Sequence, residues 1–168
     1  MSGDFEAQLR PVYGDAVRLA RALAGSMADG DDVLQDGLLR AWKAYPRLRD
    51  RSRFKPWLLK IIGNACRSWH RRRKLKSWVS LDFVRGRSAP EGPDLEHRDL
   101  LRKALQAVPA EQREALVLFE LTGASLEDVA EIQGVSLSAV KSRLSRARVR
   151  LNERLRRLER QEERHVRP

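Results

Sequence analysis

Apolar residues recur every three to four positions along most of the chain, a period that predicts helix nearly throughout. Phe5, Leu9, Val12, Ala16, Ala20 and Leu23 form the first such run, which breaks at Gly25. A second helix is predicted to begin near DGDDVLQDGLLRAWKAY, with Asp29 as N-cap and Asp31 and Asp32 in the first turn, where negative charge complements the helix dipole. Gly37 inside it costs about 1 kcal/mol relative to alanine, so the close approach of another helix or of a partner has to offset it. In RFKPWLLKIIGNACRSWHRRRK, residues Phe54, Trp57, Leu58, Ile61, Ile62, Ala65 and Trp69 make one apolar stripe, with Pro56 in the first turn.

The period is lost in SWVSLDFVRGRSAPEGPD, residues 77–94, which carries Gly86, Pro90, Gly92 and Pro93 and reads as a linker. Beyond it Leu101, Ala104, Leu105 and Val108 predict a helix that stops at Pro109, and AEQREALVLFEL predicts another that ends before Gly123. ASLEDVAEIQGVSLSAVKSRL then combines a cap (Ser125 with Asp128), a short helix with the small Ala130, a turn at Gly134, a second cap at Ser136 or Ser138 and an apolar wedge at Val140. That coincidence is a helix-turn-helix. The predicted fold is all-α, with small helical domains over 1–76 and 95–160, a flexible linker over 77–94 and a tail over 161–168.

Charge changes the picture. The net charge is +11, with 34 Lys and Arg against 23 Asp and Glu, which points to a polyanionic partner. From Arg40 to Lys76 there are 14 cations against one acid, Asp50, and from Ser136 to Arg160 there are 9 against 2. Four consecutive cations, Arg71, Arg72, Arg73 and Lys74, repel one another unless an external anion such as phosphate lies among them. Trp42, Trp57, Trp69 and Trp78 interleave with the first basic zone, as stacking on single-stranded bases requires; Trp57 and Trp69 fall on the apolar stripe and read as core, while Trp78 stays open.

On a helix of about 100° per residue with Val140 at zero, Leu144, Ala147 and Leu151 lie within about 40° and form the buried stripe. Ser138, Ser142, Ser145, Arg146 and Val149 fall between about 140° and 240°, on the far side. Short side chains there permit close approach to a major groove, and Ser and Arg can bond base edges. Lys141, Arg143, Arg148 and Arg150 flank that face and suit phosphates, which position without specifying.

Other chemistries find little footing. One cysteine, Cys66, allows no internal disulfide and reads as a packing residue, and three scattered histidines give no zinc spacing. An EF-hand counted from Asp29 needs glycine at its sixth position, where Leu34 stands. No phosphate loop, carboxylate pair or nucleophile triad is evident, so neither an enzyme nor a cofactor or metal is expected. No run suits a membrane span and MSGDFEAQLR does not resemble a signal peptide, so the expected location is the cytoplasm.

DDVLQDGLLRAWKAY together with FKPWLLKIIGNACRSWHRRRK resembles region 2 of the extracytoplasmic-function sigma factors of the sigma-70 family. VPAEQREALVLFELTGASLEDVAEIQGVSLSAVKSRLSRAR resembles their region 4, and the likeness runs from about residue 5 to 158 with no room for region 1.1 or region 3. The resemblance implies a bacterial protein that joins core RNA polymerase, directs it to minus-10 and minus-35 promoter elements and promotes transcription initiation. By the same resemblance Asp32, Gln35, Asp36 and Arg40 would meet the clamp coiled coil of the beta-prime subunit, the beta subunit would be a further contact, and an anti-sigma factor would be an inhibitor. The minus-10 pocket maps to PRLRDRSR, with Leu48 and Asp50, and to Asn64, with Arg71, Arg72 and Arg73 alongside. Leu48 stands where a phenylalanine is common and Asp50 where a glycine is common, and a leucine cannot stack as an aromatic ring does. The minus-35 contacts map to Lys141, Ser142, Ser145 and Arg146, of which the helix angles independently select the last three; Ser138 and Arg143 complete that set.

Three alternatives use the same features. A freestanding helix-turn-helix regulator would use 95–160 alike and leave the first half without a role. A nuclease or recombinase would need magnesium at the acids near 29–36. A sigma-like mimic that binds anti-sigma factors would not start transcription.

Overall fold

The computed structural model describes the backbone of residues 2–79 and 93–166 and the side chains of 3–75 and 98–161. The described elements are helical, without strands: α1 (Ser2–Leu9), α2 (Tyr13–Ala24), α3 (Met27–Ala44), α4 (Phe54–Val79), α5 (Pro93–Gln106), α6 (Ala110–Leu116), α7 (Leu126–Gln133) and α8 (Leu137–Val166). Helix α4 outruns the expected domain edge at residue 76 and α5 starts within the expected linker. The middle of that linker and the Trp78 side chain lie outside the described residues. Helix α8 continues through Val166, into what the sequence sets apart as a tail.

Local chemistry accounts for the boundaries in the first half. The run from Phe5 to Leu23 is two helices rather than one, joined by a 3-10 turn over Arg10–Val12, where Pro11 supplies no amide hydrogen to the α ladder. Gly25 ends α2 in the left-handed region at φ 89°. The N-cap of α3 is Ser26, not Asp29: the Ser26 hydroxyl accepts from the Asp29 amide at 3.1 Å and donates to the Asp29 carboxylate at 2.7 Å. Gly25 completes its turn early enough that the extended residue needed for capping falls at Ser26. Asp31 and Asp32 therefore lie beyond the first turn, and Asp31 pairs with Arg21 at 2.8 Å, which raises the guanidinium pKa through that hydrogen bond.

Helices α2, α3 and α4 pack around Leu19, Leu23, Val33, Leu34, Leu58 and Ile62, all buried. Gly37 meets the close approach its position requires, since a Cβ there would lie 2.5 Å from Ile62 Cδ1 of α4. The stripe of α4 is buried at Phe54, Leu58, Leu59, Ile62, Ala65 and Cys66, while Trp57, Ile61 and Trp69 are half-buried against the same core.

In the second half α5 turns Leu100, Ala104 and Leu105 inward, with Val108 buried just beyond its end, and leaves Leu101 exposed, one position from the predicted stripe. A π-helical turn over Val117–Leu121 extends α6, and Gly123, at φ 63°, ends it. Ser125 accepts from the Asp128 amide at 3.0 Å to start α7, and Gly134 at φ 65° closes it. Ser136, not Ser138, caps α8, accepting from the Ala139 amide at 3.2 Å. The buried apolar residues of both halves form one continuous cluster, so the second half rests on the first.

Candidate nucleic-acid and polymerase surfaces

Helix α8 presents the face its sequence angles predict. Val140, Leu144 and Ala147 are buried, Leu151 is half-buried, and Ser138, Ser145, Arg146 and Val149 are exposed on the opposite side, with Ser142 half-exposed. Lys141 is exposed beside them. Ser138 and Ser136 share a hydroxyl contact at 3.0 Å at the mouth of the turn.

The flanking cations differ from expectation. Arg143 does not stand free for phosphate: it donates to Gln133 Oε1 at 2.8 Å and pairs with Glu111 at 2.7 Å. Gln133 in turn donates to the Glu111 carbonyl at 2.9 Å, so Arg143 braces both helices of the motif against α6. Arg148 pairs with Glu120 at 2.6 Å and lies over the Phe119 ring, and Arg150 donates to Gln112 at 3.1 Å. Internal acceptors thus engage three of the four flanking cations, leaving Lys141 and Arg146 as the cations at the front of the exposed face.

The loop from Tyr45 to Phe54 is pinned at its ends by those two rings, which meet edge to face with centroids 5.8 Å apart. Leu48 is half-buried and packs against the core. Asp50 accepts from the Ser52 hydroxyl at 2.6 Å and amide at 2.9 Å, capping the turn over Arg51–Arg53, and those bonds hold its carboxyl below the usual range. Arg51 stacks on Tyr45, 3.8 Å from the ring centre. Asn64 is exposed on α4, and its carbonyl oxygen accepts from Arg67 at 2.6 Å.

The cationic end of α4 is partly neutralised from within. Arg73 pairs with Asp29 at 3.0 Å and lies over the Trp69 ring, Arg72 approaches Asp36 at 3.9 Å, and Arg71 donates to Ser68 at 3.3 Å. An external anion is therefore not the sole relief for this run, because α3 supplies carboxylates that local sequence could not place there.

On α3 the spacing of Asp32, Asp36 and Arg40 puts them along one face. Asp36 is bonded twice by Arg40, at 2.7 and 3.1 Å, while Asp32 is exposed. Beside this row runs a groove of about 390 Å³ lined by Phe5, Leu34, Gln35, Leu38, Leu39 and Trp42, among others. Leu39 and Trp42 are more than half exposed, an apolar patch that sequence reasoning missed. Its signal was there: LLRAW holds more apolar residues than one buried stripe can absorb. Among the described residues no group of acids, histidines or cysteines is arranged to hold a metal ion, and no helix is long and apolar enough to cross a membrane.

Two surfaces thus present basic and apolar chemistry on helices: a helix-turn-helix in the second half, and a capped loop with a basic helix beside an acidic-apolar face in the first. Residues 9–76 match the Sigma-70 region 2 family and residues 98–151 match Sigma-70, region 4. The chain is 35% identical to the ECF RNA polymerase sigma factor SigM of Mycobacterium tuberculosis over 88% of this chain and 74% of SigM. It superposes with a TM-score of 0.80 and 33% identity on the sigma factor RpoE of Bartonella quintana, solved with the anti-sigma factor NepR, covering 91% of this chain and 97% of RpoE. CnrH, solved with the cytosolic domain of CnrY, superposes with a TM-score of 0.67 and 26% identity over 91% of this chain and 88% of CnrH. With both regions in the family's order and a relative matched along most of its length, the chain belongs to the ECF sigma factors of the sigma-70 family and serves RNA polymerase in transcription initiation.

Proposed function

We propose that the two halves divide promoter recognition between them. The first, residues 1–76, docks on the beta-prime clamp through Asp32, Gln35, Asp36 and Arg40 and captures the opened minus-10 strand at the loop holding Leu48 and Asp50 and at Asn64, with Arg71, Arg72 and Arg73 along the backbone. The second, residues 95–160, reads the minus-35 duplex through Ser138, Lys141, Ser142, Ser145 and Arg146, while Arg143 holds the motif in shape. The observation that carries this reading is the face of α8, where small hydroxyls and Arg146 lie opposite the buried Val140, Leu144 and Ala147. The chain acts by binding and strand capture rather than by bond chemistry, in the cytoplasm, and an anti-sigma factor is a further partner, a reading supported by the likeness to RpoE bound to NepR. A freestanding regulator is less favoured because region 2 would then have no task.

Reconstituted transcription with core polymerase on a genomic promoter library, with start sites sequenced, tests the reading. The intact chain is expected to select a defined set of starts. Arg146→Ala should relax upstream-element preference by about 1–3 kcal/mol at the base pair it contacts. Equal losses on every sequence would remove Arg146 from base reading, and absence of start-site choice by the intact chain would overturn the reading as a whole.

A further inference from the structure

Helix α1 reaches the loop between α3 and α4 through two adjacent side chains. Phe5 is buried and meets Tyr45 and Phe54, the two ends of that loop, edge to face with centroids 5.2 and 5.7 Å apart. Asp4 stands beside it: its Oδ2 accepts from the Tyr45 hydroxyl at 2.8 Å and lies 3.4 Å from Arg51 Nη1. Arg51 in turn lies over the face of the Tyr45 ring, so one carboxylate oxygen serves both the hydroxyl and the guanidinium stacked on that ring. Negative charge in the first turn of α1 suits the helix dipole, which accounts for an acid at this position but not for its bond to a residue 41 positions further on.

The shape of the loop depends on where Arg51 sits. Nη1 of Arg51 is buried and makes no hydrogen bond, and the Asp4 carboxylate is its ion-pair partner. Stripped of that partner, a buried guanidinium nitrogen is drawn out to water. Arg51 opens the 3-10 turn that Asp50 caps through the Ser52 amide and hydroxyl, and the Leu48 amide closes back on the Tyr45 carbonyl at 3.0 Å. Movement of Arg51 therefore unseats its neighbour Asp50, and with it the stretch from Leu48 to Ser52.

Resting on the reading of this loop as the minus-10 pocket, we propose that Asp4 is a positioning residue for strand capture: through Tyr45 and Arg51 it holds the loop in the shape that receives the opened strand, without touching the strand itself. The sign of its effect sets this role apart from plain electrostatics. Removing a carboxylate beside a nucleic-acid surface tightens binding by charge alone, because one more cation is left for phosphate. A positioning role demands the opposite, since a loop that keeps its shape only part of the time binds less tightly by that fraction. Stability should hardly register the change, because the pair is exposed, with 60% of the Asp4 side chain and 41% of that of Arg51 open to solvent.

Two measurements on the full chain test the role. The first is amide hydrogen exchange at Leu48, Ser52 and Arg53, which Asp4→Ala is expected to accelerate about tenfold or more, with the urea midpoint little changed. The second is fluorescence anisotropy with a labelled non-template strand fragment from a promoter that the intact chain starts from, and with the duplex upstream element of the same promoter. Asp4→Ala should weaken the single strand about tenfold and leave the duplex alone. Tyr45→Phe, which keeps the ring beneath Arg51 and removes only the hydroxyl, should act in the same direction by less, and Asp4→Glu should restore most of the loss. In an Arg51→Ala background Asp4→Ala should add little, because the two act through one contact. Single-strand affinity that is unchanged or tighter in Asp4→Ala would overturn the role, as would an equal loss on the duplex or unaltered exchange in the loop. The minus-10 reading fails on different evidence. Faster loop exchange in Asp4→Ala, with single-strand affinity indifferent to Asn64→Ala, would retain the hold of Asp4 on the loop and sink that reading, whereas a loss in Asn64→Ala with an unresponsive loop would do the reverse.

Discussion

A Cβ placed on Gly30 would sit 2.6 Å from the Arg21 Cα and 3.0 Å from its amide nitrogen, both backbone atoms of α2. Alanine would gain about 1 kcal/mol of helix propensity there. The clash must be relieved by moving a whole helix, however, and overpacking of that kind costs about 1–3 kcal/mol, so Gly30→Ala is expected to lower stability by about 1–2 kcal/mol in urea unfolding. Gly37→Ala should cost less, because its nearest neighbour is the terminal Cδ1 of Ile62, which can shift. A Gly30→Ala protein as stable as the parent would show that α2 and α3 are not in such close contact. At this scale the sequence was legible wherever the cause was local. Gly37 announced a close approach by costing its own helix something, and Ser125 announced a cap by its spacing to Asp128. Asp29 misled because a carboxylate at the third helical position and one at the cap leave the same mark in a sequence, and only the turn at Gly25 decides between them. Leu100 and Leu101 differ by one position, and the period alone does not settle which faces inward.

Element by element, the helix-turn-helix was the most readable part, because a long regular helix keeps its angular arithmetic and α8 carries four apolar positions in phase. What could not be read was the bracing. The acceptors for Arg143, Arg148 and Arg150 come from Glu111, Glu120 and Gln112, some thirty positions earlier in the chain, and no local pattern records such a meeting. The turn itself offers a clean test of backbone against bulk. Gly134 has φ 65° and nothing within 4 Å of where a Cβ would sit, so size is unopposed and only the left-handed conformation resists substitution. Gly134→Ala should therefore cost about 1–2 kcal/mol, and Gly134→Asn less, since asparagine visits that region more readily. Thermal unfolding of the three proteins would rank them Gly, Asn, Ala; a ranking by side-chain volume instead would mean that a neighbour fills the space.

Across the whole molecule, charge alone exaggerates the number of cations on offer to DNA. The sequence carries a net +11, yet Arg73, Arg143 and Arg148 are each held by a carboxylate at 3.0 Å or less. A cation already paired releases fewer counterions on meeting a phosphate than one facing water, because part of its neutralisation was done by folding. Arg71 is the informative contrast: it is exposed and donates to a serine hydroxyl, and its neighbour two positions on is both paired with Asp29 and stacked on Trp69. Arg71→Ala is expected to weaken binding to all DNA sequences alike and to reduce the slope of log K against log salt by about 1. Arg73→Ala should change that slope by less than half as much, while destabilising the contact between α4 and α3. Fluorescence anisotropy on duplex and single-stranded oligonucleotides across a salt series measures both slopes. Equal changes for the two variants would show that Asp29 surrenders Arg73 whenever nucleic acid arrives, so that the pairing between α3 and α4 withholds no charge from DNA.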